Sequence, residues 1–290
     1  MGNHISIQQD SENPEDQPPN PTTILTTPPQ QNFSPFETIT FDSTFEGGNL
    51  MYVDKISDDL YHLWIAPDCF QTQYETKNRV WFYFKVIGPP LHDDIPSRQI
   101  TFRIINMNKL EHKNYKEGMV PVYNSPLNNS TWDYLPTPLT DCQQANRSIE
   151  IEFQYSFTST EIQKGVFFAF TFPYTHSDCL NFLTNLEITH HQNPSQIYLK
   201  RDILTYSLNG LRIDSLILTK NATKTPQILL NHSLSQSFLF TNKRFIVLSA
   251  RVHAAESPAN FMLQGLINSL LQTDDPVSQL LLENFVFVIV

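Results

Sequence analysis

Between Leu60 and Tyr174 the chain is built from short apolar stretches. They are "LYHLWIAP" (60–67), "RVWFYFKVIG" (79–88), "RQITFRIINM" (98–107), "SIEIEFQYSF" (148–157) and "GVFFAFTFPY" (165–174). Each is rich in β-branched and aromatic residues and is bounded by Pro, Gly, Asn or Asp, which predicts strands. The segment 148–157 alternates strictly, placing Ile149, Ile151, Phe153, Tyr155 and Phe157 on one face. A succession of such strands without helical blocks predicts an antiparallel β-sandwich. After it, "SDCLNFLTNLEITHHQ" (177–192) predicts one helix, with Ser177 as N-cap and Leu180, Leu183 and Leu186 packed on the sandwich.

From about Tyr198 the pattern changes. "LRIDSLILT" (211–219) predicts a strand, and "NKRFIVLSA" (242–250) another, apolar without alternation as in a strand buried on both faces. "SPANFMLQGLINSLLQT" (257–273) predicts a helix with Ser257 as N-cap and Pro258 at the first helical position; Phe261, Leu263, Leu266, Ile267, Leu270 and Leu271 form its apolar stripe. "FVFVIV" (285–290) closes a βαβ unit. The expected fold class is α+β with two domains: a β-sandwich over 37–197, then the first βαβ part of an α/β domain over 198–290. Residues 1–36, rich in Pro, Gln, Asn and Thr, are expected to be a disordered tail.

Composition narrows the function. The chain has 290 residues, 40% of them hydrophobic, so a substantial core is available. A net charge of −10 argues against a general nucleic-acid binder, which needs a basic face. No apolar stretch approaches the length of a membrane-spanning helix, and the N-terminus has no secretory pattern. Cys69, Cys142 and Cys179 are odd in number and fit no zinc-ribbon spacing, which suits a reducing cytosol. Met1-Gly2-Asn3-His4-Ile5-Ser6 fits the N-myristoylation pattern at Gly2, but its flank is acidic and offers no second electrostatic anchor.

The candidate chemistry lies in "SARVHAAESPAN" (249–260), where His253-Ala-Ala-Glu256 has the spacing of half a zinc site. The pair follows the carboxyl end of an apolar strand and precedes a helix, the edge at which open α/β sheets place their ligand sites. An imidazole and a carboxylate three residues apart can turn toward one ion, and His₂Glu is a known catalytic zinc set. The alternative is a loop histidine beside a glutamate that merely favours a helix N-terminus. His190-His191, at the end of a polar helix, is a weaker metal candidate. Neither a Gly-rich phosphate loop nor a Gly-x-Ser-x-Gly elbow is present.

Several longer motifs carry a resemblance. "FDSTFEGGNL" (41–50), "WFYFKV" (81–86), "FRIINMNKLEHKNYKEGMVPVYNS" (102–125), "FFAFTFPYTHS" (167–177), "GLRIDSLILT" (210–219) and "FIVLSARVHAAES" (245–257) occur in this order. Together they resemble the N-terminal portion of the cytosolic carboxypeptidases, the zinc metallocarboxypeptidase branch that includes tubulin deglutamylases. The resemblance implies a β-sandwich domain followed by an α/β carboxypeptidase domain, a Zn2+ cofactor, and removal of C-terminal residues, often glutamates, from protein tails such as those of tubulin. It implies a cytoplasmic location, with microtubules or cilia as sites of association. By position, His253 and Glu256 match the first two zinc ligands, and Arg251 matches an Arg common before them, without a catalytic role. Ala254-Ala255 replaces the family's frequent Pro-Gly, and alanine fits a turn of negative φ only. The family's second His ligand, its Asn-Arg carboxylate clamp and its Glu general base fall beyond the point matching Val290. The chain is therefore expected to be truncated, to lack a catalytic residue of its own, and to be inactive alone. The competing expectation is a non-catalytic sandwich module that binds a partner, tethered through Gly2.

Overall fold

Alternation decides the first half of the chain. In this computed structural model the described residues are 38–145, 148–192, 196–220, 225–226, 238–239 and 243–290; the expected disordered tail, and Gly2 with it, lies outside them. Two compact units divide at Thr171 and Phe172. The first holds β1 (Thr40–Asp42), β2 (Tyr52–Lys55), β3 (Leu60–Trp64), β4 (Tyr83–Ile87), β5 (Arg98–Asn108), α1 (His112–Lys116), β6 (Val122–Asn124), β7 (Trp132–Tyr134), β8 (Asp141–Ala145), β9 (Ser148–Phe157), α2 (Ser159–Lys164) and β10 (Val166–Ala169). They form two five-stranded sheets, ordered β2-β3-β5-β9-β8 and β1-β4-β10-β6-β7.

The alternating residues of β9 are buried as the pattern predicts. Rings from both sheets meet in one buried layer: Phe102 of β5 lies 5.3 Å from Phe168 of β10, 5.4 Å from Phe153 of β9 and 6.0 Å from Phe84 of β4. Offset and tilted ring pairs at this spacing are favourable beyond their buried area. The pairing is not purely antiparallel, because β3 runs parallel to β5. Between them the chain crosses to the other sheet to form β4 and returns to the same end, as a parallel pair requires. Two short helices, α1 and α2, also interrupt the strand succession.

The motif 41–50 has a local physical reason. A Cβ on Gly48 would sit 2.2 Å from the Ser43 carbonyl oxygen, so only glycine fits there. The next residue, Asn49, donates to the Ala66 and Trp81 carbonyls at 3.1 and 2.7 Å and accepts from the Ala66 amide at 3.2 Å. Trp81 Nε1 donates to the Gly47 carbonyl at 2.7 Å.

The second unit contains α3 (His176–Gln192), β11 (Ile197–Tyr206), β12 (Arg212–Lys220), the two-residue strands β13 (Thr225–Pro226) and β14 (Phe238–Leu239), β15 (Arg244–Leu248), α4 (Ser257–Leu270), α5 (Pro276–Asn284) and β16 (Phe285–Ile289). Its main sheet is ordered β11-β12-β16-β15, with β15 and β16 parallel and the other pairs antiparallel. Leu183 of α3, Leu216 and Leu218 of β12, Ile267 and Leu270 of α4, Leu282 of α5, and Phe287 and Ile289 of β16 share one buried cluster.

Four expectations change here. Helix α3 buries its face in this second cluster instead of on the first unit's sheets, so the division falls before the helix and not at 197/198. Its N-cap is Thr175, not Ser177: Thr175 Oγ1 accepts from the Asp178 amide at 3.1 Å, and Asp178 Oδ2 accepts from the Thr175 amide at 2.8 Å. The crossover between β15 and β16 carries a second helix, α5, capped by Asp275 with Pro276 in its first turn. Finally, β15 is not buried on both faces: Phe245 and Val247 are 59% and 70% exposed, and the strand lies at one edge of the sheet, beside β16. An unbroken apolar run indicates what a strand can bury, not what covers it.

Candidate metal centre

Strand β15 ends at Leu248, and its ladder continues for two residues: Val290 N donates to the Leu248 carbonyl at 2.9 Å and Ala250 N to the Val290 carbonyl at 3.2 Å. The chain then turns sharply at Arg251, whose φ is +55°, a left-handed conformation uncommon outside glycine. Ala254 and Ala255 are not among the residues of positive φ, so alanine is compatible with this turn; the strained position is Arg251. Six residues later, at Ser257, α4 begins, with Glu256 at its N-cap position. Ser257, expected to cap, is instead the first helical residue, fully buried, and its Oγ donates to the Phe172 carbonyl at 2.8 Å.

This turn brings the two predicted residues together. His253 Nδ1 lies 3.0 Å from Glu256 Oε1, and the His253 amide lies 3.4 Å from Glu256 Oε2. Both side chains are open to solvent, at 77% and 51% exposure. Hydrogen bonds from the His253 ring and amide hold the Glu256 carboxyl below its ordinary value. The donors fit a zinc ion in kind, one imidazole nitrogen and one carboxylate oxygen. In spacing they come near it, since two donors about 2.1 Å from one tetrahedral ion stand about 3.4 Å apart. Among the described residues no group of three or more His, Cys, Asp or Glu gathers to hold a metal. His190 and His191 stand at the end of α3 with ring centres 6.4 Å apart and have no third donor beside them among the described residues.

The surroundings of the pair were not predicted from the sequence. The Arg251 guanidinium donates from Nη1 to the Tyr174 carbonyl and from Nε to the Ala254 carbonyl at 3.3 Å. Tyr174 is in turn tied to α4: its hydroxyl accepts from Gln264 Nε2 at 2.6 Å, and its ring meets Phe261 edge-on at 5.2 Å. The motifs 167–177 and 245–257 thus meet because carbonyls of Phe172 and Tyr174 receive side chains from either end of the His–Glu turn. Lys243, also near the motif, is engaged elsewhere, donating to Thr219 Oγ1 at 2.8 Å, the Leu282 carbonyl at 2.9 Å and the Lys220 carbonyl.

Comparison with known proteins decides the first unit. Residues 41–170 match the family described as the cytosolic carboxypeptidase N-terminal domain. This stretch of the chain is a cytosolic carboxypeptidase N-terminal domain. The relationship extends past it: cytosolic carboxypeptidase-like protein 5 of Mus musculus is 32% identical over an alignment of 86% of the chain, and cytosolic carboxypeptidase 6 of the same species is 29% identical over 87%. The chain spans about a third of the first relative's length, 32%, and 41% of the second's. In fold, a metallo-carboxypeptidase from Burkholderia cenocepacia superposes with a TM-score of 0.60 at 18% identity, covering 87% of this chain and 56% of that one. A metallo-carboxypeptidase from Pseudomonas aeruginosa gives 0.55 at 18% identity, covering 87% and 54%. The architecture, mixed sheets with few helices, is that of carboxypeptidases. No helix among the described residues is long and apolar enough to cross a membrane.

Proposed function

We propose that His253 and Glu256 are two of the three protein ligands of a zinc carboxypeptidase of the cytosolic type, acting on the C-terminal residues of protein tails, glutamates of tubulin-like tails among them. The observation that carries this reading is the 3.0 Å approach of His253 Nδ1 and Glu256 Oε1 at the carboxyl end of a parallel strand. When bound, zinc supplies Lewis acidity toward the scissile carbonyl and makes a water easier to deprotonate. The work of the chain's own residues is holding. Glu256 is held in its ionised form by His253, so it needs no proton removed to act as a ligand. No general base is assigned among the described residues.

Arg251 and Lys243 both point their charge at main-chain carbonyls, so neither is counted toward selectivity for glutamate. The relatives' names support a cytosolic location; the glutamate preference, the tubulin partner and microtubule or cilium association rest on the family resemblance read in the sequence, and an N-myristoyl anchor at Gly2 on the sequence pattern alone. The second reading, a partner-binding module without catalysis, draws on one observation: the first unit buries a ring layer made of its own residues. The two are separated by following glutamate release from a peptide with a C-terminal glutamate run, using the longest polypeptide that carries this chain. The enzyme reading expects release that stops with a chelator, returns with zinc and is lost in His253→Ala. Release that survives His253→Ala would sink it.

A further inference from the structure

We propose that Arg251 is the positioning residue of the metal pair, a strap that fixes the His253–Glu256 turn through two main-chain carbonyls; this rests on the zinc reading above. The two ligands are solvent-exposed and hydrogen-bond each other. Metal-binding histidines are ordinarily oriented by an outer partner, whose loss weakens binding. No such partner for the His253 ring other than Glu256 is found among the described residues, so the order of the pair must come from the backbone that carries it. Arg251 supplies that order. Its Nε reaches the carbonyl of Ala254, between the two ligands, and its Nη1 reaches the carbonyl of Tyr174, 77 residues earlier. At the far end of the turn, buried Ser257 is bonded to the Phe172 carbonyl. The turn is thus pinned at both ends to one short segment, which Gln264 and Phe261 of α4 clamp in turn. A guanidinium can address two carbonyls from one rigid plane, which an ammonium on a flexible stem does poorly. The left-handed backbone at Arg251 is the turn that makes this reach possible.

The test is a Zn2+ titration of the 290-residue chain followed by the NMR shifts of the His253 ring, which reports dissociation constants into the millimolar range. Arg251→Gly tolerates the positive φ and deletes only the strap; Arg251→Lys keeps a charge. The proposal expects zinc affinity to fall about tenfold or more in Arg251→Gly, with a smaller loss in Arg251→Lys. In the metal-free chain, amide exchange over 253–256 should rise in Arg251→Gly while β12 and β16 stay protected. Zinc affinity within twofold of the parent in Arg251→Gly, or a loss accompanied by deprotection of β12 and β16, overturns it, the latter by showing a merely structural role. If the parent chain does not titrate at His253, or the His253 ring of Glu256→Ala titrates equally well, the zinc reading itself fails and the strap falls with it.

Discussion

Glu161 is a buried carboxylate whose substitution should be costly, with a dependence on pH whose sign follows from its partners. It lies in the first unit, 6% exposed. Its Oε1 accepts from Ser125 Oγ at 2.6 Å and Tyr155 Oη at 2.7 Å; its Oε2 accepts from Thr158 Oγ1 at 2.8 Å and the Thr158 amide at 3.0 Å, closing the capping box of α2. Burial alone would raise its pKa, but these hydrogen bonds outweigh that and hold it below 4.5. In Glu161→Gln one oxygen becomes an amide group that cannot accept. Whichever oxygen is replaced, two donors lose their acceptor. Each stranded buried donor costs about 1–3 kcal/mol, so the expected loss is about 3 kcal/mol at pH 7, or about 10 °C in Tm for a unit of this size. Because the folded pKa is depressed, the stabilisation is complete above the unfolded value of 4.5 and is lost as pH falls through the lower folded value. The gap between parent and variant should therefore narrow below pH 4.5. Urea denaturation of both proteins from pH 7 to pH 3, followed by the near-ultraviolet signal of the first unit's aromatics, measures it. A loss under about 1 kcal/mol at pH 7, or a gap that does not change with pH, would refute the reasoning.

Other outcomes follow from the same structure. Tyr115 is buried and its hydroxyl has no hydrogen-bond partner among the described residues, so Tyr115→Phe should be neutral or stabilising by up to about 1 kcal/mol in urea denaturation, since it removes an unsatisfied group without leaving a cavity. Gly48→Ala forces a methyl against the Ser43 carbonyl and should cost about 2 kcal/mol by the same assay. Val247→Lys charges the open, apolar edge of β15 and should reduce concentration-dependent association in light scattering, as edge lysines do in natural sheets.

The strands and the approach of His253 to Glu256 were legible in the sequence because both follow local rules. Alternation along 148–157 fixes which face of β9 is buried, and a three-residue spacing after an apolar strand brings His253 and Glu256 to one point. What was not legible is long-range. Nothing in "RVHAAES" says that Arg251 addresses a carbonyl at Tyr174, because main-chain acceptors have no sequence signature. The order of strands had the same difficulty: a βαβ unit specifies that β15 and β16 run parallel, but not that β12 adds on the far side of β16 and leaves β15 as the edge. Helix α5 was readable in principle. Asp275-Pro276 is an N-cap followed by a first-turn proline, and Asp275 accepts from the Ser278 amide at 2.9 Å; the apolar strand after it drew the reading instead.

Zinc content tests the central claim most directly. The longest polypeptide carrying this chain, purified and dialysed against buffer without chelator, should hold about one zinc per chain, as a three-ligand catalytic site does. It should lose that zinc in both His253→Ala and Glu256→Ala while its melting profile stays folded. Stoichiometric zinc retained in both variants would place the metal elsewhere and contradict the account.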